Sequence, residues 1–115
     1  MQPFTIAALR EQRAQTDKPY LEFLRMPSMS AGVYELSVGE EDTQQPHTED
    51  ELYYIVAGQA MLLVADENVP VAVGSMVFVP ANVVHRFHSI TEPLTIVVFF
   101  APAEYTHRDS LPPQV

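Results

Sequence analysis

Residues 45–60, QPHTEDELYYIVAGQA, place His47, Glu49, Asp50 and Glu51 within five consecutive positions and then run through an apolar stretch to Gly58. Imidazole and carboxylate are the side chains that hold divalent cations, the first when neutral and the second when ionised. The apolar stretch reads as a strand entering a core, so the acids stand at the edge of an interior. An ionised carboxylate left there without a counter-charge costs several kcal/mol. A divalent cation removes that cost.

Two glycine-bounded spacings extend this observation. The first is Gly39, five residues, Gln45, one residue, His47, three residues, Glu51, six residues, Gly58. The second is Gly74, five residues, Pro80, Ala81, Asn82, two residues, His85, three residues, Ser89. Together they resemble the two motifs of the cupin superfamily, whose barrels bind a metal. Gly39, His47, Glu51, Gly58, Gly74, Pro80 and His85 match in order. Gln45 stands where that family usually has its first histidine, Asn82 where a glycine is usual, and Ser89 where an asparagine is usual. Asn82 is a mild change, because asparagine tolerates the left-handed backbone region.

The resemblance implies that Gln45, His47, Glu51 and His85 hold one divalent metal ion. Two histidines and one carboxylate form a set associated with non-haem Fe(II) oxygen chemistry. Gln45 is then a fourth, weaker ligand, or it hydrogen-bonds to water at the site. A glutamine in place of a histidine hardens the donor set and favours Fe, Mn or Zn over Cu, with the identity left open. Glu49 and Asp50 read as loop surface, although Glu49 shares strand parity with His47 and is an alternative to Gln45. Tyr34, Tyr53, Met61, Phe87 and Phe99 are candidates to line the cavity, and Arg25 is a candidate to grip a carboxylate substrate. His88 falls on the outer face by parity, and the Glu40-Glu41-Asp42 run reads as a solvated loop. Three functions fit. One is a mononuclear metalloenzyme of dioxygenase, isomerase or lyase type acting on a small organic molecule. The others are a non-catalytic binding or sensing module and a metal-free structural barrel. The family also implies a homodimer.

The elements that must position these residues are short. Residues 5–15 pattern as an amphipathic helix with Thr5 as N-cap and Ile6 and Leu9 on one face. After Pro19, eight apolar runs recur: 20–26, 31–38, 52–57, 60–65, 69–73, 76–80, 84–90 and 94–101. They are rich in Val, Ile, Leu, Tyr and Phe and are separated by turn-forming residues such as Gly58, Gly74 and Glu92-Pro93. This pattern predicts an all-β fold, an antiparallel barrel or jelly roll (a double-stranded β-helix) preceded by a short helix. The chain is expected to be one cupin domain over 1–115, with its core at about 20–102 and a flexible tail at 103–115.

Composition narrows the partners. Of the 115 residues, 47% are hydrophobic, enough for a core, and 15 acids against six basic residues give a net charge of −9. That surface repels phosphate backbones, so no nucleic-acid partner is expected. No polybasic membrane footprint is present, and no apolar run reaches the roughly 20 residues of a spanning helix. The absence of cysteine excludes thiolate ligands and disulfides. A cytoplasmic protein with a small-molecule ligand or substrate is the expectation.

Overall fold

Thr5 begins the folded part of the chain as read from the sequence. Its hydroxyl accepts a hydrogen bond from the Ala8 N–H at 3.2 Å and caps helix α1, Ile6–Ala14. The computed structural model describes residues 2–107. After α1 come β1 (Tyr20–Met26), β2 (Met29–Leu36), β3 (Asp50–Val64), β4 (Glu67–Val71), β5 (Met76–Val79) and β6 (His85–Ala101). Leu9 is the buried residue of α1, and Arg10 and Arg13 reach Glu35 on β2 at 3.0 and 2.7 Å. One apolar contact and a shared carboxylate thus dock the helix on the sheet.

The strands form a sheet in the order β1-β2-β6-β3-β4, with β5 also paired to β3, and every pairing is antiparallel. It is the jelly roll expected, although the hydrogen-bonded ring does not close. The eight apolar runs become six strands because two pairs of runs are continuous. Runs 52–57 and 60–65 fall in β3 except for residue 65, and runs 84–90 and 94–101 fall in β6 except for residue 84. Gly58 and Glu92-Pro93, which read as turns, are instead the point where the two long strands bend together. Gly58 has φ +99, and a Cβ there would lie 2.3 Å from the Pro93 carbonyl oxygen. A side chain is excluded by the backbone of the neighbouring strand.

This bend reverses the inward-facing parity. In β3, Glu51, Tyr53 and Ile55 are buried before it, and Ala60 and Leu62 after it. In β6, His85 and Phe87 are buried, Ser89 takes φ 52, and then Ile90, Leu94, Ile96, Val98 and Phe100 are buried. Register slips in the β3–β6 ladder at Ile55/Ala57, Ala57/Gln59 and Gln59/Met61 accompany the reversal. A single-residue shift in a strand moves a side chain to the other face. For that reason Met61 and Phe99 are only half-buried and face away from the core, while Leu62 and Phe100 point into it.

Candidate metal centre

Two backbone latches bring the site together. The Asn82 N–H donates to the His47 carbonyl oxygen at 2.7 Å, and the Ala81 N–H donates to Asp50 Oδ1 at 3.0 Å. They hold the Pro80-Ala81-Asn82 turn, with Asn82 in the left-handed region at φ 65, against residues 47–50. His85, at the start of β6, is thereby carried to Glu51 at the start of β3. His47 arrives from the irregular segment before β3, its ring edge-on to Phe100 at 4.8 Å and 5.3 Å from the His85 ring.

His47, Glu51 and His85 each present one donor atom, and these atoms lie within 4.8 Å of one another. Glu51 and His85 are almost fully buried. Nδ1 of His85 faces the Val83 carbonyl oxygen at 2.8 Å, so it carries the ring proton. In the neutral ring Nε2 is then a lone pair, yet it faces two further acceptors: Gln44 Oε1 at 3.1 Å and Glu51 Oε1 at 3.1 Å. The latter approach does not have hydrogen-bond geometry, and Glu51 Oε1 is buried without a hydrogen-bond partner. His47 is arranged similarly, with Nδ1 3.2 Å from Glu104 Oε2 and Nε2 3.2 Å from Gln44 Oε1. Acceptor atoms converging on one point need a positive charge between them, supplied by protons or by a cation. The residues fit a divalent ion.

The ionisation tendencies agree. Burial holds the His47 pKa below its ordinary value despite the pull of Glu51, which keeps the ring in its ligating form. Burial also acts downward on His85, but the adjacent Glu51 carboxylate outweighs it and the pKa is raised. Burial and the charges of Glu51 and Glu22 push Glu104 up to about 7.

The structure places Gln44, not Gln45, at the histidines. Residues 41–49 are irregular chain, so the two-residue alternation of a strand does not set which side chains face the site there. Gln45 is exposed, while the Gln44 amide donates to Asp42 Oδ2 at 2.7 Å and turns its oxygen to His47, His85 and the Tyr53 hydroxyl. Asp42 is buried, contrary to its reading as solvated loop, and also accepts from the Tyr34 hydroxyl and the Phe87 N–H. Glu49 is likewise buried and not loop surface. Its carboxylate accepts from the Tyr105 N–H at 2.6 Å and the His107 N–H at 2.9 Å. Residues 103–107, expected to begin a tail, are therefore packed at the site, with Ala103 and Glu104 buried; residues 108–115 lie outside the described residues.

A cavity of about 150 Å³ adjoins the centre. Of the expected lining residues, Tyr34 and Tyr53 contribute to it. Phe87 lies one layer below, packed on Tyr53 at 5.0 Å, and Met61 and Phe99 are on the other face for the parity reason given above. Tyr20, Glu104, Tyr105 and Phe100 line the cavity and were not foreseen. Phe100 was one residue from the predicted position, whereas nothing in the sequence marked Tyr20 or Glu104. Arg25 does not line the cavity, since its guanidinium is bonded to Glu22 and to the Glu104 carbonyl oxygen, each at 2.8 Å.

This jelly roll with a His-Glu-His centre defines a class, and comparison with known proteins identifies it. The cupin-domain family model matches residues 32–100, and the chain belongs to the cupin family. An uncharacterized protein of Streptomyces coelicolor is 46% identical over 104 residues, covering 90% of this chain and 99% of that protein. Among solved structures, one from Thermus thermophilus aligns with TM-score 0.70 and 22% identity over 90% of this chain and 99% of that one. KdgF from Halomonas sp. aligns with TM-score 0.68 and 19% identity, covering 84% and 89% of the two chains. The Cnp3 cupin domain of Schizosaccharomyces pombe aligns with TM-score 0.66 and 19% identity over 72% of this chain and 63% of that one. These structural likenesses concern the fold alone. No helix among the described residues is long and apolar enough to cross a membrane.

Proposed function

We propose that this cupin binds one divalent metal ion through His47, Glu51 and His85 and acts as a mononuclear metalloenzyme on a small organic molecule held in the adjoining cavity. The observation that carries the reading is the buried Glu51 Oε1, which has no hydrogen-bond partner and faces the lone pair of His85 Nε2 at 3.1 Å. A bound divalent ion would supply Lewis acidity toward an oxygen of the substrate. The protein's own part is to orient and to exclude water. Val83 fixes the His85 tautomer, Glu104 faces Nδ1 of His47, and Gln44 presents an oxygen as a fourth donor. The aromatic rings of Tyr53 and Phe100 dry the approach.

Elemental analysis of purified protein by mass spectrometry tests this reading. About one ion per chain is expected, with loss of the ion in His47→Ala and in His85→Ala. Retention in both variants refutes the ligand assignment. Depletion of small enols or catechols by the metal-loaded protein supports catalysis, whereas binding without turnover would identify a sensing or carrier module.

The outer face of the sheet supports a second copy of the chain as partner. Phe78 and Leu52 are paired across β5 and β3, as are Met76 and Tyr54, and Leu52 is paired with Phe99 across β3 and β6. Phe78 is 57% and Met76 61% exposed, and none of these five residues is Asp, Glu, Lys, Arg or His. On a chain of net charge −9, an uncharged apolar face is where two copies can meet without repulsion. Sedimentation of the wild type should show a dimer and of Phe78→Asp a monomer; a wild-type monomer at micromolar concentration refutes it.

A further inference from the structure

We propose that the Tyr20 hydroxyl selects the molecule bound beside the metal centre, and that this molecule is uncharged, bears a hydroxyl or carbonyl oxygen and is about the size of a six-membered ring. The inference rests on the reading of the cavity as a substrate pocket and adds what the pocket takes.

Tyr20 opens β1, and its ring lies across β2 at Gly32. A Cβ on Gly32 would come within 2.2 Å of Tyr20 Cζ and 2.3 Å of its hydroxyl oxygen. Glycine weakens a strand interior and marks places where another group must approach closely. Here the group is the Tyr20 ring, which could not otherwise lie inside the barrel wall. The ring is braced edge-on by Tyr34 at 6.2 Å. Its hydroxyl oxygen is buried and has no hydrogen-bond partner, whereas its neighbours are engaged with the protein. Tyr34 donates to Asp42 at 2.6 Å and Tyr53 to Gln44 at 3.2 Å. Tyr20 lines the cavity, and its hydroxyl is a donor without a partner in the protein; leaving such a group buried is unfavourable unless a ligand oxygen accepts from it.

Charge narrows the ligand further. The cavity is lined by Glu51 and Glu104 and, among the described residues, by no lysine or arginine. A carboxylate or phosphate group placed away from the metal would meet like charge with no compensating cation. An uncharged oxygen incurs no such penalty. The volume of about 150 Å³ matches that of cavities that accept benzene.

Phenol and benzene, titrated by NMR into the zinc-loaded wild type and Tyr20→Phe, form a thermodynamic cycle that isolates the bond between the two hydroxyls. The wild type should prefer phenol, and the variant should lose roughly three- to tenfold of that preference. Benzene affinity should be unchanged, because the phenylalanine ring keeps its seat over Gly32. After chelator treatment, where no zinc can hold its carboxylate, benzoate should bind the wild type more weakly than phenol does. An unaltered phenol preference, an equal loss for both probes, tighter binding of benzoate after chelator treatment, or no phenol binding at millimolar concentration would each overturn the proposal. Metal content measured on the same samples, together with the cycle repeated after chelator treatment, separates failure at Tyr20 from failure of the metal assignment.

Discussion

Glu104 Oε2 lies 3.2 Å from Nδ1 of His47, so a residue beyond the last strand reaches the candidate metal site through that histidine. Its backbone is fixed independently of that contact. The Glu104 N–H donates to Ser30 Oγ at 2.8 Å, and its carbonyl oxygen accepts from Arg25 at 2.8 Å. A carboxylate on the distal nitrogen of a ligating histidine fixes the ring and raises its basicity, and its loss costs about 10–100-fold in metal affinity. Glu104→Ala should show a loss of that order in competition with a chromophoric chelator. Glu104→Gln should lose less, because its amide oxygen still accepts from Nδ1. Equal affinity of Glu104→Ala and wild type would remove Glu104 from the centre.

The two adjacent glutamines give a sharper contrast. Gln44 turns its oxygen to both histidines, and Gln45 is exposed. Gln44→Ala should weaken metal binding at least several-fold, while Gln45→Ala should match the wild type within error. The opposite ranking in the same chelator assay would restore Gln45 to the site.

Gly58→Ala tests the common bend of β3 and β6. The substitution would put a Cβ 2.3 Å from the Pro93 carbonyl oxygen, at a φ of +99 that L-residues rarely adopt. Backbone strain of this kind should lower stability by about 2–4 kcal/mol. Urea unfolding with an unchanged slope and a lower midpoint would register it.

Glu35 gives the fold a defined acid sensitivity. Burial acts to raise its pKa, but hydrogen bonds from Arg13, Thr95 and Arg10 win and hold it below the ordinary carboxylate value. A carboxylate depressed in the folded state contributes stability above its unfolded pKa of about 4.3, and that contribution is lost as pH falls through the lower folded value. The wild type should therefore melt above Glu35→Gln near pH 6, and the gap should shrink steadily once the solution is acidified below about pH 4. A gap independent of pH would mean that packing, not charge, accounts for the effect.

Local chemistry made much of this legible beforehand. The α1 cap at Thr5, the β1 boundaries and the inward row of Glu51, Tyr53 and Ile55 follow from side-chain type and strand period. The His47, Glu51 and His85 group followed from motif spacing. Misassignments cluster where the period fails. Motif spacing points to Gln45, whereas Gln44 is the residue that faces the histidines, because residues 41–49 are irregular chain. Met61 and Phe99, candidates for the cavity lining, face away from it because the bend at Gly58 and Ser89 reverses parity.

The sequence by itself determined which residue types meet a cation and which alternate into a core, since donor chemistry and backbone pleat are local properties. Only the tertiary structure decided that Tyr20 crosses Gly32, that Glu104 returns to His47, and that Glu49 is buried holding the backbone of Tyr105 and His107. These contacts join segments far apart in the chain. Their existence depends on how the bent strands β3 and β6 bring those segments together, and no short window of residues encodes that.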